Sequence, residues 1–273
     1  MRPREVALLT PALVCSLCIV AFDAAAQPLT PAQQADFLRT ARIVKSAPIG
    51  KGVTRPFRLT LSDGAFTHDA AFQSVNETRT MSNTGRGGKP ELNFVDSWRF
   101  NIVAHRLAAL LGIGDMVPAS VERSWNGKAG ALTWWVDDVL MDDEGRRKSG
   151  AEPPDEAEWV KQQFRMRVFT QLAYDTDRNQ GNILITKGWR VVMIDFTRAF
   201  RSWKTLPDPA NILRRCDRGL LTAMRGLTRE SVQQAAGVYL TNFETESLLA
   251  RRDLIVAHFD KLVAQLGEAS VLY

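Results

Sequence analysis

The sequence predicts an α+β chain: a small antiparallel sheet lobe with one helix, followed by a mainly helical lobe. Period-two alternation is concentrated in the first half, where Phe57, Leu59 and Leu61 share one face and Arg58 and Thr60 the other. The second half carries apolar residues at helical spacing, with cap signals at Asp155 and Thr241. Pro153-Pro154 stands between the two patterns. The expected organisation is a leader over 1–26, a sheet lobe over 27–152 and a helical lobe over 153–273.

The leader reads as a secretory signal. Arg2 and Arg4 make a basic start, Val6 to Phe22 is apolar, and Ala24-Ala25-Ala26 precedes Gln27. The expectation is cleavage after Ala26 and export, with an uncleaved anchor as the alternative reading. Cleavage would remove Cys15 and Cys18 and leave Cys216, so the mature chain would hold no intrachain disulfide. No second apolar stretch is long enough to cross a bilayer, so no stable membrane span is expected after cleavage.

A helix is expected from Pro31 to Val44. Ile49-Gly50-Lys51-Gly52-Val53-Thr54 forms a glycine-containing bend between strand-like pieces, and Ser62-Asp63-Gly64 turns the chain into a further strand over Ala70 to Val75. Thr84 to Pro90, with three glycines, reads as a loop. Asp96 to Leu111 reads as a helix whose apolar face holds Val103, Leu107, Leu110 and Leu111, with Gly112 at its C-cap. Two strands flank Trp125-Asn126-Gly127, the second running through Ala131 to Val136. Asp155 with Glu158 caps a helix reaching about Tyr174, and the chain is helical again from Leu227.

Composition excludes more than it assigns. The 273 residues are 45% hydrophobic and 24% charged, so a real core can be buried. A net charge of +5 suits an anionic ligand such as a nucleotide, but it is too small and dispersed to argue nucleic-acid binding. His68, His105 and His258 are too scattered for a metal site. Neither Gly-x-Ser-x-Gly nor His-Glu-x-x-His occurs.

The informative stretch runs from Ala173 to Phe196. A helix ends, the polar loop Asp175-Thr176-Asp177-Arg178-Asn179-Gln180-Gly181-Asn182 follows, and Ile183 opens a short apolar strand. After Lys187-Gly188 a second strand delivers Asp195. A hairpin here would bring Asp177, Asn182 and Asp195 into one cleft. Three polar residues alone would describe a solvated turn. The order helix, loop, hairpin, carboxylate is what phosphoryl transfer needs: one carboxylate to take the acceptor's proton, and an amide oxygen and a second carboxylate to hold a hard divalent cation.

The pattern Asp177-Arg178-x-x-x-Asn182 followed by Ile194-Asp195-Phe196 resembles the phosphatidylinositol 3-/4-kinase group, most of all the type II 4-kinases, and is similar to HipA-type and secreted kinases. The resemblance implies a two-lobed protein-kinase-like fold using ATP and Mg2+. It implies Asp177 as catalytic base and Asn182 and Asp195 as metal ligands. It also implies a nucleotide site from Gly50, Lys51 and Gly52 over the phosphates, Gln73 beside them, and Trp135 and Val136 near the adenine-binding hinge.

Three departures bear on function. Gln73 stands at the position of the strand lysine and Asn101 at that of the helix glutamate, an amide pair for an ion pair, while Thr197 stands where many such kinases have glycine. Lys51 or Lys45 is a candidate for the missing charge. Two readings follow: an atypical kinase phosphorylating a hydroxyl on an unidentified protein, lipid or small molecule, or an exported pseudokinase serving as a nucleotide-binding or interaction module. Transfer of an AMP group by the same fold is a third.

Overall fold

The computed structural model describes residues 29–50, 55–83 and 90–273. The expected leader, Lys51, Gly52 and most of the glycine-rich loop from Thr84 lie outside them.

Helix α1 (Pro31–Thr40) begins at a reciprocal cap between Thr30 and Gln33, with proline in its first turn. It ends before the expected Val44. The chain straightens at Ala41, and Arg42–Pro48 becomes strand β1, where the β-branched Ile43 and Val44 suit a pleated backbone. Strands β2 (Phe57–Ser62) and β3 (Thr67–Gln73) follow; β3 starts three residues earlier than expected and stops short of Val75. Next comes a hairpin absent from the sequence reading, β4 (Asn76–Ser82) and β5 (Glu91–Ser97), then helix α2 (Arg99–Leu110). Asp96 thus ends a strand instead of opening a helix. The Ser97 N–H bonds the Thr197 carbonyl and the Trp98 N–H that of Val75, and these distant partners hold the segment extended.

Strands β6 (Ser120–Trp125) and β7 (Lys128–Trp134) turn at Asn126-Gly127, both with positive φ (51° and 73°), as a two-residue hairpin turn requires. The five-stranded sheet has order β1-β2-β3-β7-β6 and is antiparallel throughout. Leu59, Leu61, Ala70, Phe72 and Leu132 pack with Phe37 and Leu38 of α1. The opposite face, set by the same register, presents Lys45, Arg58, Thr60, Asp69, Ala71 and Gln73.

Strand β8 (Val139–Asp142) leads into α3 (Asp143–Ser149), whose first turn is capped by the Asp142 carboxylate. Helix α4 (Glu156–Ala173) starts at the Asp155 cap and ends as expected at Tyr174, in the left-handed region. Strands β9 (Ile183–Thr186) and β10 (Val191–Met193) form the expected hairpin, with β8 on the far side of β9. Four helices close the chain: α5 (Arg218–Arg225), α6 (Arg229–Ala236), α7 (Asn242–Leu266) with its Thr241–Glu244 capping box, and α8 (Glu268–Val271). Among the described residues no helix is long and apolar enough to cross a membrane.

The larger core joins α2 to the helical lobe: Phe100, Val103 and Leu107 pack in one cluster with Phe169, Leu172, Phe196 and Phe259. Polar ties reinforce this. Arg99 pairs with Glu244 at 2.9 Å, Arg106 donates to the Ala235 carbonyl at 3.2 Å, and the Tyr239 hydroxyl donates to Glu122 of β6 at 2.7 Å.

Candidate active site

The loop after α4 is held by one arginine. Asp175 is buried; its carboxylate accepts from the Asp177 N–H at 3.0 Å and from Arg178 Nε at 2.8 Å and Nη2 at 2.5 Å. The Arg178 fork continues to the carbonyls of Asn182 (2.7 Å) and Ile194 (2.5 Å), and its guanidinium lies 4.3 Å from the Phe196 ring centre. One planar, five-donor side chain thus ties the loop to the strand that delivers Asp195.

Asn182 Nδ2 donates to the Asp177 carbonyl at 3.0 Å, leaving the amide oxygen Oδ1 as its acceptor end. The Ile194 N–H bonds the Asn182 carbonyl at 3.0 Å, so Asp195 leaves β10 directly beside this loop. Asp195 has φ of 55°, a conformation sparsely used by residues other than glycine, and its Oδ1 accepts from the Thr197 hydroxyl at 3.0 Å. The residue at the glycine position therefore serves as an anchor for Asp195. The structure places Asp177, Asn182 and Asp195 side by side.

Two carboxyls here, Asp177 and Asp96, are destabilised as anions. Burial is the main cause that raises Asp177 above its ordinary value; Asp195 and Asp175 add to it, while the Asn179 amide and Arg198 oppose it. Asp96 is also raised, first by burial and then by the Asp195 charge, against a hydrogen bond from Thr197. Its Oδ1 is buried without a hydrogen-bond partner among the described residues.

Above the loop, Gln73 and Asn101 form a buried pair. Asn101 Nδ2 donates to Gln73 Oε1 at 2.8 Å, and Asn101 Oδ1 accepts from the Phe196 N–H at 2.8 Å, so the network orients both amides. Trp135 and Val136 lie half-buried in the linker between β7 and β8, with the Trp135 N–H bonded to the Asp69 carbonyl at 3.1 Å and Arg58 4.4 Å over the indole. Gly50 is exposed at the bend after β1. Lys45 lines a small cavity of about 370 Å³ with Arg58, Thr60 and Asp69, two of which, Arg58 and Asp69, are ion-paired.

A larger cavity of about 820 Å³ opens on the other side of the loop, lined by Asp177, Asn179, Arg198, Arg167, Gln171 and Asp208, among others. Most of these the sequence reading missed. Asp175 and Asn179 adjoin the motif and were within its reach. Glu91, Asp96 and Arg198 were not, because Arg198 meets Glu91 across 107 positions of sequence.

No family model matches this sequence, and no curated protein matches it. Solved structures do match in fold. Hydra Fam20, solved with sugar, has a TM-score of 0.64 at 15% identity, covering 89% of this chain and 91% of its own. The Golgi casein kinase with Mn/ADP bound has 0.62 at 12% identity, covering 89% and 78%. The Helicobacter pylori proinflammatory kinase CtkA has 0.53 at 10% identity, covering 84% and 98%. At these identities the likeness is one of architecture, and it shows that the chain has an atypical protein-kinase-like fold.

Proposed function

We propose that the chain is an atypical kinase, transferring the γ-phosphoryl group of ATP to a hydroxyl of an acceptor bound beside Asp177. The observation that carries this is the convergence of Asp177, Asn182 and Asp195 next to the cavity into which Asp177 opens. Asp177 takes the proton of the acceptor hydroxyl as its oxygen bonds to the γ-phosphorus. The bond from phosphorus to the β–γ bridging oxygen breaks, and ADP leaves. The raised Asp177 is a stronger base than a solvated aspartate.

The donor set fits a divalent cation. The Asn182 amide nitrogen is committed to Asp177, which leaves Oδ1 for a metal, and Asp195 supplies a carboxylate. Among the described residues no three His, Cys, Asp or Glu side chains form a complete cage, so phosphate oxygens and water would fill the remaining positions. When bound, Mg2+ or Mn2+ would neutralise the phosphate charge. The Mn/ADP bound to the Golgi casein kinase supports a nucleotide and a divalent metal here. The linker at Trp135 and Val136 would receive the adenine, the bend at Gly50, Lys51 and Gly52 would cover the phosphates, and Gln73 would offer them a neutral donor. The polar lining of the larger cavity suits a hydroxyl-rich acceptor better than an acyl chain, and the sugar in the hydra Fam20 structure points the same way. Export with removal of residues 1–26 belongs to the same proposal, as does kinship with the phosphatidylinositol 3-/4-kinase and HipA-type groups.

The neutral Gln73–Asn101 pair favours a second reading, a pseudokinase that binds nucleotide without transfer. Thermal shift of residues 27–273 with ATP or ADP, with and without Mg2+ or Mn2+, separates the readings when run beside Asp195→Ala and a radiolabelled-phosphate assay on sugars and acidic proteins. Metal-dependent stabilisation lost in the variant, with label in an acceptor, is the expected result. Stabilisation without label would favour the pseudokinase, and no stabilisation at millimolar nucleotide would remove both.

A further inference from the structure

We infer that Arg198 is a catalytic residue of this site, supplying from the acceptor side the positive charge that Gln73 does not bring to the transferring phosphoryl group. The inference rests on the phosphotransferase reading and adds a residue to it.

Arg198 Nη1 lies 4.0 Å from Asp177 Oδ2. Both side chains line the larger cavity, whereas Asn182, Asp195 and Gln73 do not, which puts Arg198 on the face from which an acceptor would reach the base. An acceptor oxygen bonded to Asp177 therefore has this guanidinium as a neighbour when it meets the phosphorus.

The side chain is held for the purpose. It is 14% exposed, its Nη2 donates to Glu91 Oε2 at 3.0 Å, and its guanidinium lies 5.1 Å from the Phe94 ring centre. Its carbonyl accepts from the Thr176 N–H at 3.3 Å and the Thr176 hydroxyl at 3.0 Å, so its backbone is fastened to the loop that carries Asp177. Glu91 is shared: Arg201 Nε donates to its Oε1 at 2.6 Å. Arg201 is buried and spends a donor on the Val95 carbonyl, so Arg198 is the member turned to the cavity.

A planar fork fixed beside the path of a phosphoryl group matches its oxygens two at a time and needs no reorganisation as charge moves onto them. The reaction is unchanged: the proton passes to Asp177, the acceptor–phosphorus bond forms, the bond to ADP breaks, and Arg198 contacts the oxygens in transit.

The test compares wild type, R198Q and R198K of residues 27–273 for kcat, KM for ATP, and Kd for ADP with Mn2+. R198Q is expected to lower kcat on the order of 100- to 1000-fold. The Kd for ADP should stay within about twofold, since the contact is made in transfer and not in nucleotide binding. R198K keeps the charge and the apolar stem, so it guards against a folding failure, and it should still lose kcat about tenfold or more for want of the fork. Either variant with kcat within a few-fold of wild type overturns the inference while leaving the phosphotransferase reading intact. Parallel loss of nucleotide affinity and kcat overturns it too, by assigning Arg198 a merely structural role. A wild-type chain that binds nucleotide and transfers nothing to any acceptor overturns both.

Discussion

Burial holds the Asp177 carboxyl above its ordinary value of 3.8, and the charges of Asp195 and Asp175 push the same way, against the Asn179 amide and Arg198. A carboxyl raised in the folded state favours the protonated form there. Its stabilising contribution is present below the unfolded value and lost as pH rises through the folded one, so at neutral pH the ionised group weakens the fold. Asp177→Asn is therefore expected to abolish transfer and yet raise Tm, on the order of 1–2 °C at pH 7 given the partial exposure of the group. The gain should disappear near pH 3 in the same melting experiment, and a lower Tm at pH 7 would contradict it. Transfer by the wild type should fall on acidification through a pKa above 3.8. At this scale the sequence was informative where chemistry is local: Asp177, Asn182 and Asp195 lie within one helix–loop–hairpin unit. It was silent on Asp96 and Arg198, whose roles come from neighbours brought in by tertiary packing.

Helix α2 and the segment from Asp195 to Thr197 are joined through Asn101, which bonds Gln73 on one side and the Phe196 N–H on the other. Both residues are buried, so truncating either leaves a polar group without its partner. Gln73→Ala should cost about 1–3 kcal/mol, and Asn101→Ala more than that, since it orphans two groups instead of one. Urea denaturation reads both values, and equal losses would mean that the Phe196 bond contributes nothing. That Gln73 lies on a strand and Asn101 on a helix was legible, from the strand read over Ala70 to Val75 and the apolar stripe of the helix. The β4–β5 hairpin was not. Asn76-Glu77-Thr78-Arg79-Thr80 buries almost nothing on either face, so no alternation exists to be read. The same gap moved the predicted start of α2 from Arg99 back to Asp96, since Ser97 is held extended by a carbonyl exactly one hundred residues further along, at Thr197.

Across the whole molecule the sheet lobe and the helical lobe are fastened at α2, which belongs to the larger core and also bonds to α6 and α7. His105 sits in this joint. Burial is the chief cause that lowers it from 6.5 to about 4, with the charges of Arg106 and Arg39 adding and the Val117 backbone opposing. The unfolded chain thus takes up a proton near pH 6.5 that the folded chain refuses until about pH 4. Stability must fall as pH drops through that window, by about 3 kcal/mol in full. His105→Leu should flatten the urea midpoint between pH 7 and pH 4.5 relative to wild type; an unchanged slope would place the acid sensitivity elsewhere. The division into a sheet lobe and a helical lobe was legible from periodicity, whereas the assignment of α2 to the helical core was not, because nothing local tells a helix which of two cores it will join.

The setting of Phe196 carries a consequence for pharmacology. Its ring lies edge-on to Phe169 at 5.7 Å and under the Arg178 guanidinium, its N–H is bonded to Asn101, and the carbonyl of the next residue is bonded to Ser97. A drug-like inhibitor that works by expelling this phenylalanine and occupying its vacated slot would have to break all four contacts at once. On the proposed nucleotide site, selective compounds should therefore be sought among those that enter from the Trp135 side and leave Phe196 in place. There the Arg58–Asp69 pair offers a charged roof, and a scaffold carrying both an acidic and a basic group could engage it where a flat apolar heterocycle gains little.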